Sequence, residues 1–433
     1  ICSRNIMRKN LVPKVLLLLF FIVPFTFPNA ITGIQEVLDI NTLRLYLFSI
    51  INTLSLGYIL YDTKTKVIFD AAIKSKISII IGAFIIWGLI SYIYAFNKTE
   101  VIVRAFTFIN FYLSFIVLYV FIRFFKFKFI EICYFISFLL ICQVAFSYYA
   151  LSIVTALRAY DFEQNSLIVG VFPNRNVTAA IYLIQLPFLI YLIKESTNRA
   201  IKIVGFILGF SVMFILFLLA SRTSYVVMAA LIIIALVIFI IRRDKISNVT
   251  TSILGYLTML ILLGYIATTI TLGSNNEANM IKRMQTIDYS ETSTNTRVRY
   301  YTFGVKDFFK NPLIGYGLGN FKIISVERDK ENINSYVVPY TMHNDFLEVA
   351  VELGIVGLIL FVLIFTYPLY LIFKRFKILN FNSVHIILLL SISVYLIDSN
   401  LNFPFTRSVS LFYLALILNL LIYYAYEYND ETN

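Results

Sequence analysis

The sequence has little charge and few of the side chains that bind metals or form disulfides. Only 14% of its 433 residues are charged, 60% are hydrophobic, and the mean hydropathy is +0.83. Because a soluble globular protein carries about 25% charged residues, this composition excludes an ordinary soluble domain and indicates a polytopic membrane protein. The cysteines Cys2, Cys133 and Cys142 have neither a metal-binding nor a disulfide spacing, so we interpret them as small apolar residues.

Motifs of several common enzyme classes are absent from the sequence. It contains no GxxxxGK[ST] phosphate loop, no HExxH or CxxC pair, and no DxD in an outer loop to hold a divalent metal. The glycine-rich run 315–319 lacks the Lys and Ser/Thr that complete a nucleotide-binding loop. We therefore expect an activity that uses no metal and no cofactor. The net charge of +12 is mostly explained by membrane topology, so it does not indicate nucleic-acid binding.

Twelve apolar runs are long enough to cross a bilayer, which takes about 20 residues. Backbone groups in lipid must satisfy their own hydrogen bonds, so we expect an all-α fold. The first run follows a basic start, and we interpret it as an anchor because no small-residue cleavage site is evident. The predicted spans are 12–30, 42–61, 77–96, 101–122, 129–155, 177–193, 203–220, 224–241, 252–272, 348–373, 383–400 and 405–426.

The basic residues predict the orientation of the chain in the plasma membrane. With a cytoplasmic N-terminus, twenty of the 36 Lys and Arg residues fall in inner segments and seven in short outer segments. Both termini are then cytoplasmic. The remaining nine lie in one long outer loop, 273–343. This loop divides the chain into nine N-terminal spans (1–272), the loop itself, and three C-terminal spans (344–433).

The long outer loop combines a predicted helix with a glycine-rich turn. Apolar side chains in 297–311 recur at spacings of three and four, which predicts an amphipathic helix that ends before Pro312. A turn with Gly315, Gly317 and Gly319 follows. The polar segment 322–340 is predicted to be irregular. Because long loops in compact proteins are usually functional, we expect this one to form a catalytic cap on the outer surface.

Charged residues at membrane depth are costly and often functional. Arg222 lies between the seventh and eighth spans, where its planar guanidinium suits the oxygens of a phosphate. The alternative is an arginine that simply extends to the interface. Arg297 and Arg299 either add positive charge on the same side or form a solvated helix face. Asp398 and Arg407, which flank NLNFPFT (400–406), also stand out at an outer end.

The segment TMHNDFLEVAVELGIVG (341–357) contains one of the two histidines. With an unperturbed pKa of about 6.5, His343 suits proton transfer near neutrality; the alternative is a surface histidine at a helix start. Glu348 and Glu352 are one helical turn apart and are candidates to orient it or the cap. Asn344 and Asp345 are both candidate N-caps. The other histidine, at 385, is predicted at the cytoplasmic end of the eleventh span and interpreted as filler.

These segments together resemble the O-antigen ligase and O-antigen polymerase family of membrane glycosyltransferases. The densest match has Arg297 with Tyr301 four residues later, then NPLIGYGLGNF (311–321) and HNDFLEVAVELGIVG (343–357). The family pattern there has an aromatic residue four after the arginine, and Trp is common where this chain has Tyr301. The resemblance is carried by order, spacing and topology over roughly 170–405.

Two weaker matches lie upstream of the long loop. GVFPNRNVTAA (170–180), which includes Asn174 and Asn176, is similar to the family's Phe-x-Asn-x-Asn stretch. SRTSYV (221–226) is similar to its Ser-Arg-Thr turn. The chain departs from the family at Arg175, where Pro is frequent.

The resemblance implies transfer of a glycan from undecaprenyl pyrophosphate to an acceptor on the outer face of the plasma membrane. It implies that Arg222, Arg297 and Arg299 bind the pyrophosphate and that His343 acts on the acceptor hydroxyl. Attack opposite the leaving group would invert the anomeric centre. The residues expected to support the site are Asn174, Asn176, Gly315, Gly317, Gly319, Asn344, Glu348 and Glu352.

The motifs leave two family activities open. A ligase transfers the glycan to an acceptor such as lipid A-core, whereas a polymerase adds it to another carrier-linked repeat unit. A twelve-span transporter is an alternative from a different class. Its long connection is typically central and cytoplasmic, and many transporters contain repeated broken spans. Here the central link 194–202 is short and the long loop is late and external, which favours the transferase.

Overall fold

The computed structural model describes residues 2–26, 40–156, 167–241, 243–273, 276, 279–285, 292–332, 341–378 and 382–424. These residues form helices and connecting turns, with no strand among them. The predicted all-α fold class is therefore confirmed. The helices pack around one large apolar core that draws residues from most of the spans.

Ten helices among the described residues are long and apolar enough to cross a membrane. They are α2 (Ile40–Tyr61), α4 (Lys76–Ile90), α5 (Lys98–Phe125), α6 (Phe129–Ala156), α7 (Arg175–Glu195), α8 (Arg199–Leu218), α9 (Arg222–Ile241), α10 (Arg243–Leu272), α14 (Asp345–Ile378) and α15 (Ser383–Leu401). Two shorter apolar segments lie in α1 (Cys2–Ile22) and α16 (Ser408–Ile422). Each of the twelve predicted spans therefore corresponds to an apolar helix among the described residues. Residues 27–30 of the first predicted span and 425–426 of the last lie outside the described part of the chain.

Helix α3 (Thr63–Lys74) is not among the predicted elements. It has twelve residues, too few for a span, and it mixes lysines with apolar side chains. The Asp62 side chain begins this helix by accepting a hydrogen bond from the backbone N–H of Thr65, at 3.1 Å. The helix joins α2 to α4 on the side that the basic residues predict to be cytoplasmic.

The long loop is more helical than the sequence predicts. The predicted helix over 297–311 is confirmed as part of α12 (Thr292–Lys310), and a short α11 (Met280–Gln285) precedes it. The prediction that 322–340 is irregular is wrong for its first part, because α13 spans Phe321–Asp329. Packing explains the difference: Phe321 and Ile324 share a small apolar cluster with residues of α12 and α14. Residues 333–340 lie outside the described part of the chain.

A kink in α14 receives the glycine-rich turn. Gly354 has φ +64° and ψ −166°, so the helical hydrogen bonds are interrupted there. The carbonyl of Val351 accepts from Tyr316 N–H at 3.1 Å, and that of Glu352 accepts from Gly317 N–H at 2.8 Å. The Ile355 N–H in turn donates to the Pro312 carbonyl at 2.8 Å. The turn thus satisfies the backbone groups that the kink exposes, which fixes the long loop to the start of a span.

Candidate active site

His343 lies at the entry to α14 with a backbone held from several sides. Its φ of +59° is a left-handed conformation that costs a non-glycine residue roughly 1 kcal/mol or more. The Tyr301 hydroxyl donates to the His343 carbonyl at 2.9 Å and to the Asn400 carbonyl at 3.3 Å. One residue earlier, the Met342 N–H donates to the Glu348 carboxylate at 2.9 Å. Contacts from α12, α14 and α15 therefore maintain the strained backbone.

The imidazole of His343 faces an aromatic ring and two cations. Its ring centroid is 4.8 Å from that of Phe403, edge to face, and the Arg407 guanidinium lies over Phe403 at 4.3 Å. The His343 Nδ1 atom is buried and makes no hydrogen bond within the described part of the chain. Burial, followed by the charges of Arg297 and Arg407, lowers the pKa of His343 to about 4. The ring is therefore neutral at pH 7 and able to accept a proton.

Arg297 belongs to the same group of charges as His343. Its positive charge acts on His343, on the Tyr301 hydroxyl and on the carboxyl group of Asp398. Arg299 lies two residues further along α12, and residues at that spacing point in different directions from a helix. The ring contact of Arg299 is with Tyr300, at 5.9 Å. The structure therefore brings the charge of Arg297 to His343.

Arg222 is the first residue of α9, next to a chain of polar contacts. The Ser221 hydroxyl donates to Asn176 Oδ1 at 2.8 Å, and Asn176 Nδ2 donates to Asn402 Oδ1 at 3.2 Å. Asn402 Nδ2 then donates to the Asp398 carboxylate at 2.6 Å. This network joins the SRT turn (221–223) and the FPNRN stretch (172–176) to the segment that contains Phe403 and Arg407. It links the position of Arg222 to the surroundings of His343.

The remaining predicted supporting residues hold backbone in place. Asn174 caps α7 by accepting from Val177 N–H at 3.0 Å. Asn344, not Asp345, caps the start of α14 by accepting from Leu347 N–H at 3.0 Å. The Asp345 carboxylate instead accepts from Phe405 N–H at 3.1 Å. Each contact fixes a segment that neighbours the arginines or His343.

The two glutamates of the motif anchor the long loop. The Glu348 carboxylate pairs with Arg104 at 3.2 Å in addition to its bond from Met342. The Glu352 carboxylate accepts from Phe321 N–H at 3.0 Å. Of the two predicted roles, orienting His343 or orienting the cap, Glu352 holds the cap. Glu348 holds the backbone that leads into His343.

The three glycines of the turn are required by close backbone approach. Gly315, Gly317 and Gly319 all have positive φ. A Cβ atom at Gly315 would lie 2.4 Å from the backbone of Glu352, and one at Gly354 would lie 2.3 Å from that of Leu313. These glycines therefore shape the loop.

Arg104 and Asn402 belong to this region but are absent from the predicted site residues. Arg104 is a charge inside the predicted fourth span, 101–122, which is the signal that would have identified it. Asn402 has no comparable signal, because single asparagines are common in loops. Among the described residues no group of three or more His, Cys, Asp or Glu side chains is arranged to hold a metal.

The fold and the site define a polytopic membrane protein with cations and a neutral histidine clustered at one end of its helices. A family model described as O-antigen ligase matches residues 203–362, from α8 to α14. This match confirms the resemblance to the O-antigen ligase and polymerase family, and it includes Arg222, Arg297 and His343. No curated protein matches the chain. The match implies a glycosyltransferase-like ligase or polymerase that uses lipid-linked glycans, and the apolar helices agree with an inner-membrane location.

Proposed function

We propose that this protein is an O-antigen ligase-like enzyme that transfers a glycan from undecaprenyl pyrophosphate to an acceptor hydroxyl. The observation that carries this proposal is the buried Nδ1 of His343, which has no hydrogen-bond partner among the described residues and lies beside the charges of Arg297 and Arg407. A neutral proton acceptor next to fixed cations suits a reaction that deprotonates a hydroxyl while a phosphate leaves. The acceptor is lipid A-core or a similar glycan.

The transfer exchanges one bond to the anomeric carbon for another. The acceptor oxygen attacks that carbon, the bond to the pyrophosphate oxygen breaks, and undecaprenyl pyrophosphate leaves with the electron pair. His343 takes the proton of the acceptor hydroxyl. Attack from the side opposite the leaving group inverts the anomeric configuration. No metal is needed if arginine side chains stabilise the charge of the leaving group.

Arg222 and Arg297 are the residues proposed to bind the pyrophosphate, and Arg299 assists. Arg297 is supported by its electrostatic contact with His343. Arg222 is supported by the hydrogen-bonded network that ties its turn to the segment of Asn402. We place this site on the outer face of the plasma membrane and both termini in the cytoplasm, since the basic residues of the short loops favour that orientation.

The test is transfer by purified protein in liposomes, with a defined undecaprenyl-pyrophosphate oligosaccharide and lipid A-core as acceptor. His343→Ala, Arg222→Ala and Arg297→Ala should each lower the transfer rate by about a hundredfold or more, as the loss of a transition-state contact does. Lys306→Ala is the matched control, because this exposed residue lies on α12 outside the site. Arg297→Ala with the activity of Lys306→Ala would contradict the proposal.

Four further measurements test the details of this proposal. Activity in excess chelator should equal that without it, and NMR of the product should show the inverted anomeric linkage. Arg222→Lys should remain impaired, since an ammonium does not reproduce a bidentate contact. A deletion strain separates the family activities: loss of surface attachment with accumulating carrier-linked polymer indicates a ligase, whereas loss of chain length alone indicates a polymerase.

A further inference from the structure

A cavity of about 400 Å³ lies beside the proposed site. Its walls come from the starts of α2, α5, α14 and α16 and from the glycine-rich turn with α13. Sites for small molecules typically measure about 300–1,000 Å³, so the cavity is large enough for a ligand. Its charged lining residues are Glu100, Arg104, Lys322, Glu348 and Glu352.

The charges of this cavity do not suit a pyrophosphate. Its lining has three carboxyl groups and two cations. Both cations already have partners, because Arg104 pairs with Glu348 and Lys322 pairs with Glu100. An anionic ligand would meet the carboxylates without a free cation to offset them, since like charges repel. The cavity therefore favours a ligand without net charge.

The lining of the cavity can both donate and accept hydrogen bonds. Five hydroxyl side chains and one amide line it together with the carboxylates: Asn41, Thr42, Thr107, Thr341, Thr406 and Ser408. Hydroxyl groups both donate and accept, carboxylates accept and guanidinium groups donate. A polyhydroxylated ligand matches this mixture of donors and acceptors.

The cavity adjoins the segments that carry the proposed catalytic groups. Thr341 lines it, and His343 follows two residues later. Thr406 lines it, and Arg407 is the next residue. Glu348 is in the wall and also holds the backbone N–H of Met342. A ligand in the cavity would therefore contact Glu348, which also holds the backbone that leads into His343.

We propose that this cavity is a saccharide subsite that holds sugar residues of a glycan while transfer takes place at His343. The inference rests on the proposed function, because it assumes that a glycan is brought to this end of the protein. The donor glycan and the acceptor glycan share the required chemistry. The experiment below therefore separates these two sources.

The test fills the cavity without changing its ion pairs. Val103→Trp places an indole at the cavity wall, and Leu45→Trp does so from α2. Ile102→Trp is the matched control, because Ile102 neighbours Val103 on α5 and is similarly exposed, at 51% against 55%, but does not line the cavity. Each variant is purified in nanodiscs, and monodisperse elution with an unchanged thermal midpoint establishes that it is folded.

Binding is measured by titration with a carrier-free repeat-unit oligosaccharide. Wild type and Ile102→Trp should bind it equally, and Val103→Trp and Leu45→Trp should bind it at least tenfold more weakly. In steady-state transfer, a raised KM for the acceptor alone identifies the acceptor glycan as the occupant. A raised KM for the donor alone identifies the donor glycan.

The outcomes separate failure of the subsite from failure of the proposed function. Equal oligosaccharide binding by Val103→Trp and wild type, or no binding by wild type, overturns the subsite. Unchanged KM values for both substrates in an active Val103→Trp enzyme overturn it as well. Weaker binding by both cavity-filling variants, in a protein that transfers nothing, supports the subsite and contradicts the transferase.

Discussion

At the scale of single residues, the environment of His343 keeps its imidazole neutral until a substrate changes the local charge. Burial and the cations Arg297 and Arg407 lower its pKa to about 4. A pyrophosphate bound beside these arginines would offset their charge and so favour the imidazolium, which raises the pKa. Binding of the donor would thus make His343 a stronger base at the moment when the acceptor must lose its proton.

The pH dependence of transfer should therefore differ between the free and the donor-bound enzyme. In the free enzyme, kcat/KM for the donor should fall only as the pH approaches about 4, because protonation removes the neutral ring. In the donor-bound enzyme, kcat should begin to fall at a higher pH. Rates measured from pH 4 to 8 at low and at saturating donor test this. An inflection at the same pH in both profiles would show that the donor leaves His343 unperturbed.

Tyr301 is predicted to act through the position of His343. Tyr301→Phe removes the donor to the His343 and Asn400 carbonyls, a loss of about 1 kcal/mol. We expect kcat to fall roughly fivefold, with little change in the KM for the donor. Tyr301→Trp supplies an indole N–H donor and should recover part of the rate. Equal rates for the Phe and Trp variants would indicate that the aromatic ring at this position, and not its hydrogen bond, supports the rate.

At the scale of elements, hydropathy predicts each span. Packing between distant segments determines the helices of the long loop and the contacts around the site. Helix α13 is polar in sequence and forms because Glu352 binds its first N–H and its apolar side chains join a cluster with α14. The pair of Arg104 and Glu348 joins residues 244 positions apart, which no local pattern reveals. Among the predicted site residues, His343 and Arg297 could be identified from residue type and topology. That they share one electrostatic environment could not be predicted from the sequence.

The interlock between the α14 kink and the turn of the long loop gives a prediction at this scale. Gly354→Ala places a Cβ atom against the Leu313 backbone. It also imposes on alanine a backbone conformation, φ +64° and ψ −166°, that essentially only glycine adopts and that costs about 1–3 kcal/mol. The long loop should become more sensitive to limited proteolysis, and transfer should be lost. Gly255→Ala in α10 is the control, because nothing lies within 4 Å of its Cβ position. Identical proteolysis patterns for the two variants would argue against the interlock.

At the scale of the whole molecule, the connections on one side of the bundle are joined to one another. The Arg44 guanidinium is fully buried and donates to the carbonyls of Pro24, at 2.7 Å, and Val171. Asn97 and Asn320 bond each other through backbone and side chain, at 2.7 and 3.2 Å. The Arg44 contacts link the second span to the segments that end the first span and precede the sixth. The Asn97–Asn320 pair links the start of α5 to the long loop, so segments far apart in sequence meet on this side of the bundle.

The predicted orientation can be tested on intact cells. In a variant with Cys2, Cys133 and Cys142 replaced, Lys306→Cys on α12 should react with a membrane-impermeant maleimide. Lys64→Cys on α3 should react only after the cells are opened, because the distribution of basic residues predicts that α3 lies in the cytoplasm. Both positions are exposed, so the difference depends on the side of the membrane. Labelling of Lys64→Cys in intact cells would contradict the predicted orientation.

The fit between the α14 kink and the glycine-rich turn also constrains which sequence changes the loop tolerates. Helix α14 binds the turn almost entirely through backbone atoms, at Pro312, Tyr316 and Gly317. The side chains of Leu313 and Ile314 are exposed. Side chains on the outer surface of the turn are therefore free to vary, but its length is not. Inserting one residue between 312 and 317 would shift every donor past its carbonyl, so the loop should accept substitutions there and reject insertions.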